Sequence, residues 1–262
     1  MALFPFMDYL FRPGPGVFPD APRKKGAKRW FEIAGRDFGK LWFGGFMALL
    51  GMVPYLLGLY FSIASHLLLA LFVSCAVGGM LAGIFWSALM DTILRSLRDE
   101  PMMWRYNWIA AIKRDWRQCL LPGALCGEVF GVQFFMLYHL QPGGAGLPLL
   151  VLLLAGLILM TCFAVWMWPQ IPLFTLPLPM LVKNTLLLAL GHVLPTLGAT
   201  LVWLVYLAAA LFLSPISMLV LPITSIWLPF SIGLLMIYRP LEGAFDLEAS
   251  IAALHEREHM EE

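Results

Sequence analysis

Glu128 is the one acidic residue inside an uninterrupted apolar run, and Gln133, Tyr138 and His139 follow it on the same stretch. A charge at the centre of a bilayer costs about 3 kcal/mol or more, so an intramembrane carboxylate faces a partner or a wet cavity. Lys183, Asn184 and His192 are the groups on later segments that could meet it. The constellation reads in two ways. Glu128, Gln133 and His139 are an ion, proton or substrate contact, or Glu128 is a protonated, hydrogen-bonded packing residue; with no second acid to form a relay, both stay open. A second candidate is His255-Glu256-Arg257-Glu258-His259, which has the spacing that sets two imidazoles one helical turn apart with a glutamate as general base. It lies in a highly charged tail with no apolar framework to exclude water and no evident third ligand, so a solvated acidic helix is the expectation and no metal site is assigned.

The third candidate is a surface. Trp104, Trp108, Ile112 and Trp116 recur every four residues, while Lys113, Arg114 and Arg117 fall on another face; Arg105 and Asp115 break the stripe. That pattern predicts an amphipathic helix in the headgroup plane, with indoles at the boundary and basic groups toward anionic lipid. Together with Arg23, Lys24, Lys25 and Arg29 it forms a candidate surface for a protein partner or anionic lipid. A bare topological anchor is the plainer alternative.

The chain that positions these residues has 262 residues, 61% of them apolar and 13% charged, outside the range of soluble globular domains. A membrane helix needs roughly 20 apolar residues. Six runs qualify: Leu41–Phe61, Leu67–Met90, Leu120–Leu140, Leu147–Trp168, Val193–Leu213 and Ile216–Tyr238. The last two are the least regular, because Pro195, Pro215, Pro222 and Pro229 interrupt them. The expected fold is an all-α bundle of about six transmembrane helices plus the interfacial helix. Its parts are an amino-terminal segment 1–40, a bundle 41–238 containing the loop 91–119, and an acidic tail 239–262.

Eight of the 17 Lys and Arg residues lie in 1–40 and six in 91–119. Loops rich in them stay cytoplasmic, which puts both termini inside. The apolar start Met1–Phe11 lacks a preceding basic region and a cleavage site, so it reads as interfacial and not as a removable signal. Gly78, Gly79 and Gly83 permit close helix approach. Cys75, Cys119, Cys126 and Cys162 lack metal-ligand spacing and read as small packing residues. There is no phosphate-cradling motif or recognisable nucleophilic triad, no cofactor is expected, and the acidic tail makes nucleic acid a poor partner.

Two stretches resemble a known group. Pro13-Gly14-Pro15-Gly16-Val17, Asp20, the basic cluster Arg23–Arg29, Phe31-Glu32 and Arg36-Asp37-Phe38-Gly39-Lys40-Leu41 form the first. Leu94-Arg95, Arg98-Asp99-Glu100 and Trp104 through Ala111-Ile112-Lys113-Arg114-Asp115-Trp116-Arg117-Gln118 form the second. Both are similar to the YesL-like bacterial integral membrane proteins, a domain family of unknown function, with a weaker similarity at Leu181–Leu186. Gly44-Gly45 and the acidic tail depart from that pattern. The resemblance implies a multi-pass protein of the bacterial cytoplasmic membrane, a non-enzymatic accessory or assembly subunit associated with carbohydrate uptake, its partners being transporter permease or sensor kinase subunits. The alternative from the residues themselves is a small-solute carrier or channel using Glu128 and the proline-broken spans.

Overall fold

The computed structural model describes residues 24, 26–100, 103–140, 146–214 and 216–245. Every element among them is a helix: α1 (Ala27–Ser65), α2 (Leu68–Leu97), α3 (Trp104–His139), α4 (Gly146–Leu173), α5 (Leu178–Gly191), α6 (Val193–Phe212), α7 (Ser217–Ser225) and α8 (Trp227–Phe245). Five of these are long and apolar enough to cross a membrane. There are six if α7 and α8, bent by 55° at their junction, count as one broken span. The protein is a multi-pass membrane bundle, and each apolar run of the sequence coincides with one of these spans.

The helices outrun the apolar stretches that define them. α1 is 39 residues long and begins in the basic segment, so residue 40 is no boundary. Its buried face, Arg29, Ile33, Asp37, Lys40, Gly44, Ala48, Gly51, Tyr55, Leu59 and Ser62, keeps one helical period from the charged residues into the apolar ones. The stretch 91–119 is likewise not a loop carrying a separate interfacial helix. Residues 91–97 complete α2, and 104–119 are the first part of the 36-residue α3.

α1, α2 and α3 pack as an antiparallel trio. Lipid offers apolar side chains no reason to associate, so helices in a bilayer hold together where backbones come close. Cys75, Gly79 and Gly83 of α2 lie against Cys119, Gly123, Gly127 and Gly131 of α3. A Cβ on Gly123 would stand 2.5 Å from the Gly79 carbonyl oxygen, and one on Gly78 would stand 2.5 Å from the Tyr55 Cα. Glycine is required at these positions by the backbone opposite. Cys75, Cys119 and Cys126 are buried beside this seam as the packing residues their spacing predicts.

The carboxy-terminal helices close the bundle more loosely. Gln170 Nε2 donates to Thr185 Oγ1 (3.0 Å), Trp166 Nε1 to Thr196 Oγ1 (2.7 Å) and Tyr206 Oη to the Leu221 carbonyl (2.8 Å), tying α4 to α5, α4 to α6 and α6 to α7. α8 returns along α1, where the Trp30 and Trp227 rings stack at 6.0 Å and Trp30 Nε1 donates to Ser231 Oγ (3.0 Å). Beyond these contacts, Leu235, Tyr238, Arg239 and Glu242 of α8 come beside Lys24, Gly26 and Arg29, so the beginning of α1 and the later part of α8 meet at one end of the bundle. That same end carries the termini of α2 and α3 where the charged residues gather.

Candidate functional site

The charged end is built on the way α2 stops. Glu100 N–H donates to the Arg95 carbonyl (3.1 Å) and Asp99 N–H to the Ser96 carbonyl (3.4 Å), the paired bonds of a Schellman cap. Its left-handed position, usually glycine, is occupied by Asp99 at φ 61°. The carboxylate justifies the residue. Asp99 accepts from Arg29 Nη2 at 2.5 Å and from Arg36 Nη1, both on α1. The same guanidinium groups donate to the last carbonyls of α2, Arg29 to Leu97 (3.0 Å) and Arg36 to Ser96 (2.7 Å). Burial alone would raise the Asp99 pKa, but Arg36 and Arg29 outweigh it and hold the carboxyl below its ordinary value.

Two ion-pair networks gather here, one through Asp99 between α1 and α2 and one through Asp91 between α2 and α3. Arg36 Nε donates to Asp37 (2.9 Å), whose other oxygen accepts from the fully buried Lys40 Nζ (3.2 Å). Asp37 has non-helical angles, so α1 kinks where this pair forms. On the other side Arg95 Nε donates to Asp91 (2.8 Å), and Arg114 bridges Asp91 (3.2 Å) to Asp115 (2.7 Å). Ser87 Oγ completes Asp115 at 3.1 Å, while Glu100 accepts from Arg95 (3.1 Å) and Arg98 (2.6 Å). With Arg29–Glu32 at 3.3 Å, cations and anions balance one for one. A carboxylate held down by guanidinium groups is a poor general base. The array is built to lock three helix ends together.

This placement revises the expected surface. Trp104 and Trp108 are buried among protein side chains, Trp104 edge-on to Phe43 at 4.7 Å and both against Gly44, and not at a lipid boundary. The cause is helical geometry. Four-residue spacing overshoots the 3.6-residue turn, so Trp116 is rotated about 120° from Trp104 whereas Asp115 lies within about 20° of it. Asp115, which seemed to break the stripe, is on the buried face, and Arg114 turns inward to pair with it. Trp116, Lys113 and Arg117 are exposed, with the Arg117 guanidinium 5.0 Å from the Trp116 ring centre. Arg23 and Lys25 lie outside the described residues, as do His255 and His259; Lys24 is exposed and Arg29 is buried in the ion array.

A cleft of about 360 Å³ opens beside this array, lined by Lys24, Gly26 and Arg29 at the start of α1, Leu97 of α2, and Leu235, Tyr238, Arg239 and Glu242 of α8. Its walls come from both ends of the described chain.

The intramembrane candidates are not gathered. Glu128, Gln133 and His139 all lie on α3 and each leaves one buried atom, Oε2, Oε1 and Nε2 respectively, without a hydrogen bond. Five residues separate Glu128 from Gln133, a rotation of about 140°, and eleven separate it from His139, a rise of about 16 Å. Gln133 faces Gly156 of α4, and the His139 ring lies 4.7 Å from that of His66 at the far end of the bundle. Lys183 is exposed, and His192 lies beside Trp166, with ring centres 6.0 Å apart. Among the described residues no three metal-ligating side chains converge. Asp91, Asp99 and Asp115 were the functional-looking residues that sequence reasoning passed over; the signal for Asp99 was Pro101 two residues on, which ends a helix.

No family model, curated protein or solved structure matches this chain.

Proposed function

We propose that this protein is a non-enzymatic integral membrane accessory or assembly subunit of a transport or signalling complex, with the charged end of its bundle facing the cytoplasm as the working surface. One contrast carries the reading: charged groups at that end are joined into ion-pair networks across three helix ends and flanked by an open cleft, whereas the polar groups within the spans are spread along α3 and form no common site. Exposed Lys113, Trp116 and Arg117 beside the array present the aromatic and basic chemistry that recurs at protein interfaces. The distribution of Lys and Arg supports the inside orientation, and the similarity to the YesL-like proteins supports transporter permease or sensor kinase subunits of a bacterial cytoplasmic membrane as partners, in carbohydrate uptake.

The test is co-purification of the tagged full chain in mild detergent, with bound proteins identified by mass spectrometry. Lys113→Glu with Arg117→Glu should leave insertion and thermal stability unchanged and remove a co-purifying permease or kinase subunit. The unpaired buried atoms of Glu128, Gln133 and His139 favour the carrier or channel as a second reading. Solute flux through liposomes containing this protein alone, abolished by Glu128→Gln, would establish that reading and displace the first.

A further inference from the structure

We infer that the cleft between the start of α1 and the end of α8 binds the phosphate group of an anionic glycerophospholipid. The inference rests on placing the charged end at headgroup level, as the proposed function does, and not on the accessory role. Two separate elements bring cations to the cleft. Arg239 of α8 is exposed and has no ion-pair or hydrogen-bond partner among the described residues. Lys24 stands 4.0 Å from Glu32 with its side chain 59% exposed, a pair too loose to neutralise it. Arg29, already bound to Asp99 and Glu32, forms a fixed wall between them.

The backbone adds to this field. α1 starts at Gly26, φ 62°, a cap with no side-chain hydrogen bond, and Gly26 lines the cleft; the Arg29 N–H is taken by the Gly26 carbonyl (3.0 Å). Such a helix start favours an anion and complements the side-chain cations. Glu242 subtracts one charge and leaves the lining positive. The remaining walls are the apolar Leu97 and Leu235 and the amphipathic Tyr238. They suit the glycerol backbone and first methylenes of a lipid better than a hydrated ion, and about 360 Å³ is ample for that part of the molecule.

The full-length protein in phosphatidylcholine nanodiscs, with and without phosphatidylglycerol, tests the site. Phosphatidylglycerol should raise the unfolding midpoint and slow acetylation of Lys24 several-fold while leaving Lys113 unprotected. Lys24→Gln with Arg239→Gln should lose most of the midpoint shift, and Lys113→Gln with Arg117→Gln should keep it. Equal responses from the two double variants, or equal protection of Lys24 and Lys113, would reduce the effect to general surface charge and overturn the site. Inorganic phosphate in phosphatidylcholine discs reproducing the full response would overturn the lipid assignment. If the Lys24/Arg239 variant does not fold, the acetylation ratio in the wild-type chain decides alone. A lipid response that persists while no partner co-purifies supports the site and counts against the accessory role only.

Discussion

The trio α1–α3 and the helices α5–α8 solve the same packing problem by opposite means. In the trio, glycines press backbone against backbone along the membrane, and an ion array pins the three helix ends. In the carboxy-terminal part, α7 has no buried residue, prolines interrupt the bent last span, and a few hydrogen bonds such as Tyr206 to Leu221 and Ser217 to Ala210 join α6 to α7. The difference shows where rigidity is built. One half is held by contacts that tolerate no added atom, the other by contacts that can be lost one at a time.

The largest test of this comparison is a methyl group. Gly123→Ala would drive a Cβ against the Gly79 backbone, which no side-chain rotation relieves. Overpacking typically costs about 1–3 kcal/mol, and this rigid seam belongs at the upper end or beyond. Aggregation or a broad profile in size-exclusion chromatography is expected. Gly243→Ala on α8, which meets nothing within 4 Å, should run as the wild type. Equal tolerance of both would show that the seam is looser than the geometry describes.

Next comes Asp99. Removing it leaves two guanidinium groups at a side chain only 8% exposed, a change of about 3–5 kcal/mol for a buried pair. Asp99→Gly keeps the left-handed backbone comfortable, whereas Asp99→Ala adds strain of about 1 kcal/mol. The midpoint in detergent should therefore fall in the order wild type, Asp99→Gly, Asp99→Ala. If Asp99→Gly were as stable as the wild type, the array would be a by-product of packing and not its lock.

Acid should reach the trio through the same residue. Because the folded Asp99 pKa lies below the unfolded value, its contribution is present above the usual carboxylate pKa of about 4 and is lost as pH falls through the lower folded value. The wild-type midpoint should drop over that acid range. Asp99→Gly should start lower but fall less steeply, and parallel limbs would assign the acid response to other carboxylates.

The spans were legible in the sequence because hydrocarbon thickness imposes a length that composition reveals. Glycines 78, 79 and 83 were legible for another reason, since small residues are what let helix backbones come close in lipid. What the sequence concealed was the continuation of helices beyond the apolar runs. Charged residues at Arg29, Arg36, Asp91 and Arg114 look like solvent-facing positions until their partners on other helices are known, whereas Asp37–Lys40 and Arg114–Asp115 pair within one helix. Ion pairing across long sequence separation leaves no local pattern. α5 was hidden differently: it falls between the apolar runs that end at Trp168 and resume at Val193, although Pro179 falls at its first turn, where proline is well placed to begin a helix. Glu128 was found, but Gln133 is turned about 140° away from it and His139 stands about 16 Å further along the helix.

The smallest expected effect lies in the looser half. Tyr206→Phe removes the hydroxyl that donates to the Leu221 carbonyl and changes little else, since the ring remains. Hydrogen bonds between membrane helices average about 0.6 kcal/mol, so the unfolding midpoint should barely move. The local consequence should be larger than the global one. α7 has no buried residue, and once that bond is gone the Ser217 Oγ donation to the Ala210 carbonyl (3.0 Å) at its first turn and the bend into α8 are what tie it down. Hydrogen–deuterium exchange should therefore rise in 217–225 and stay at wild-type levels in α1–α3. Were exchange to rise equally in the trio, the two halves would open as one cooperative unit, and the division drawn between them would fail.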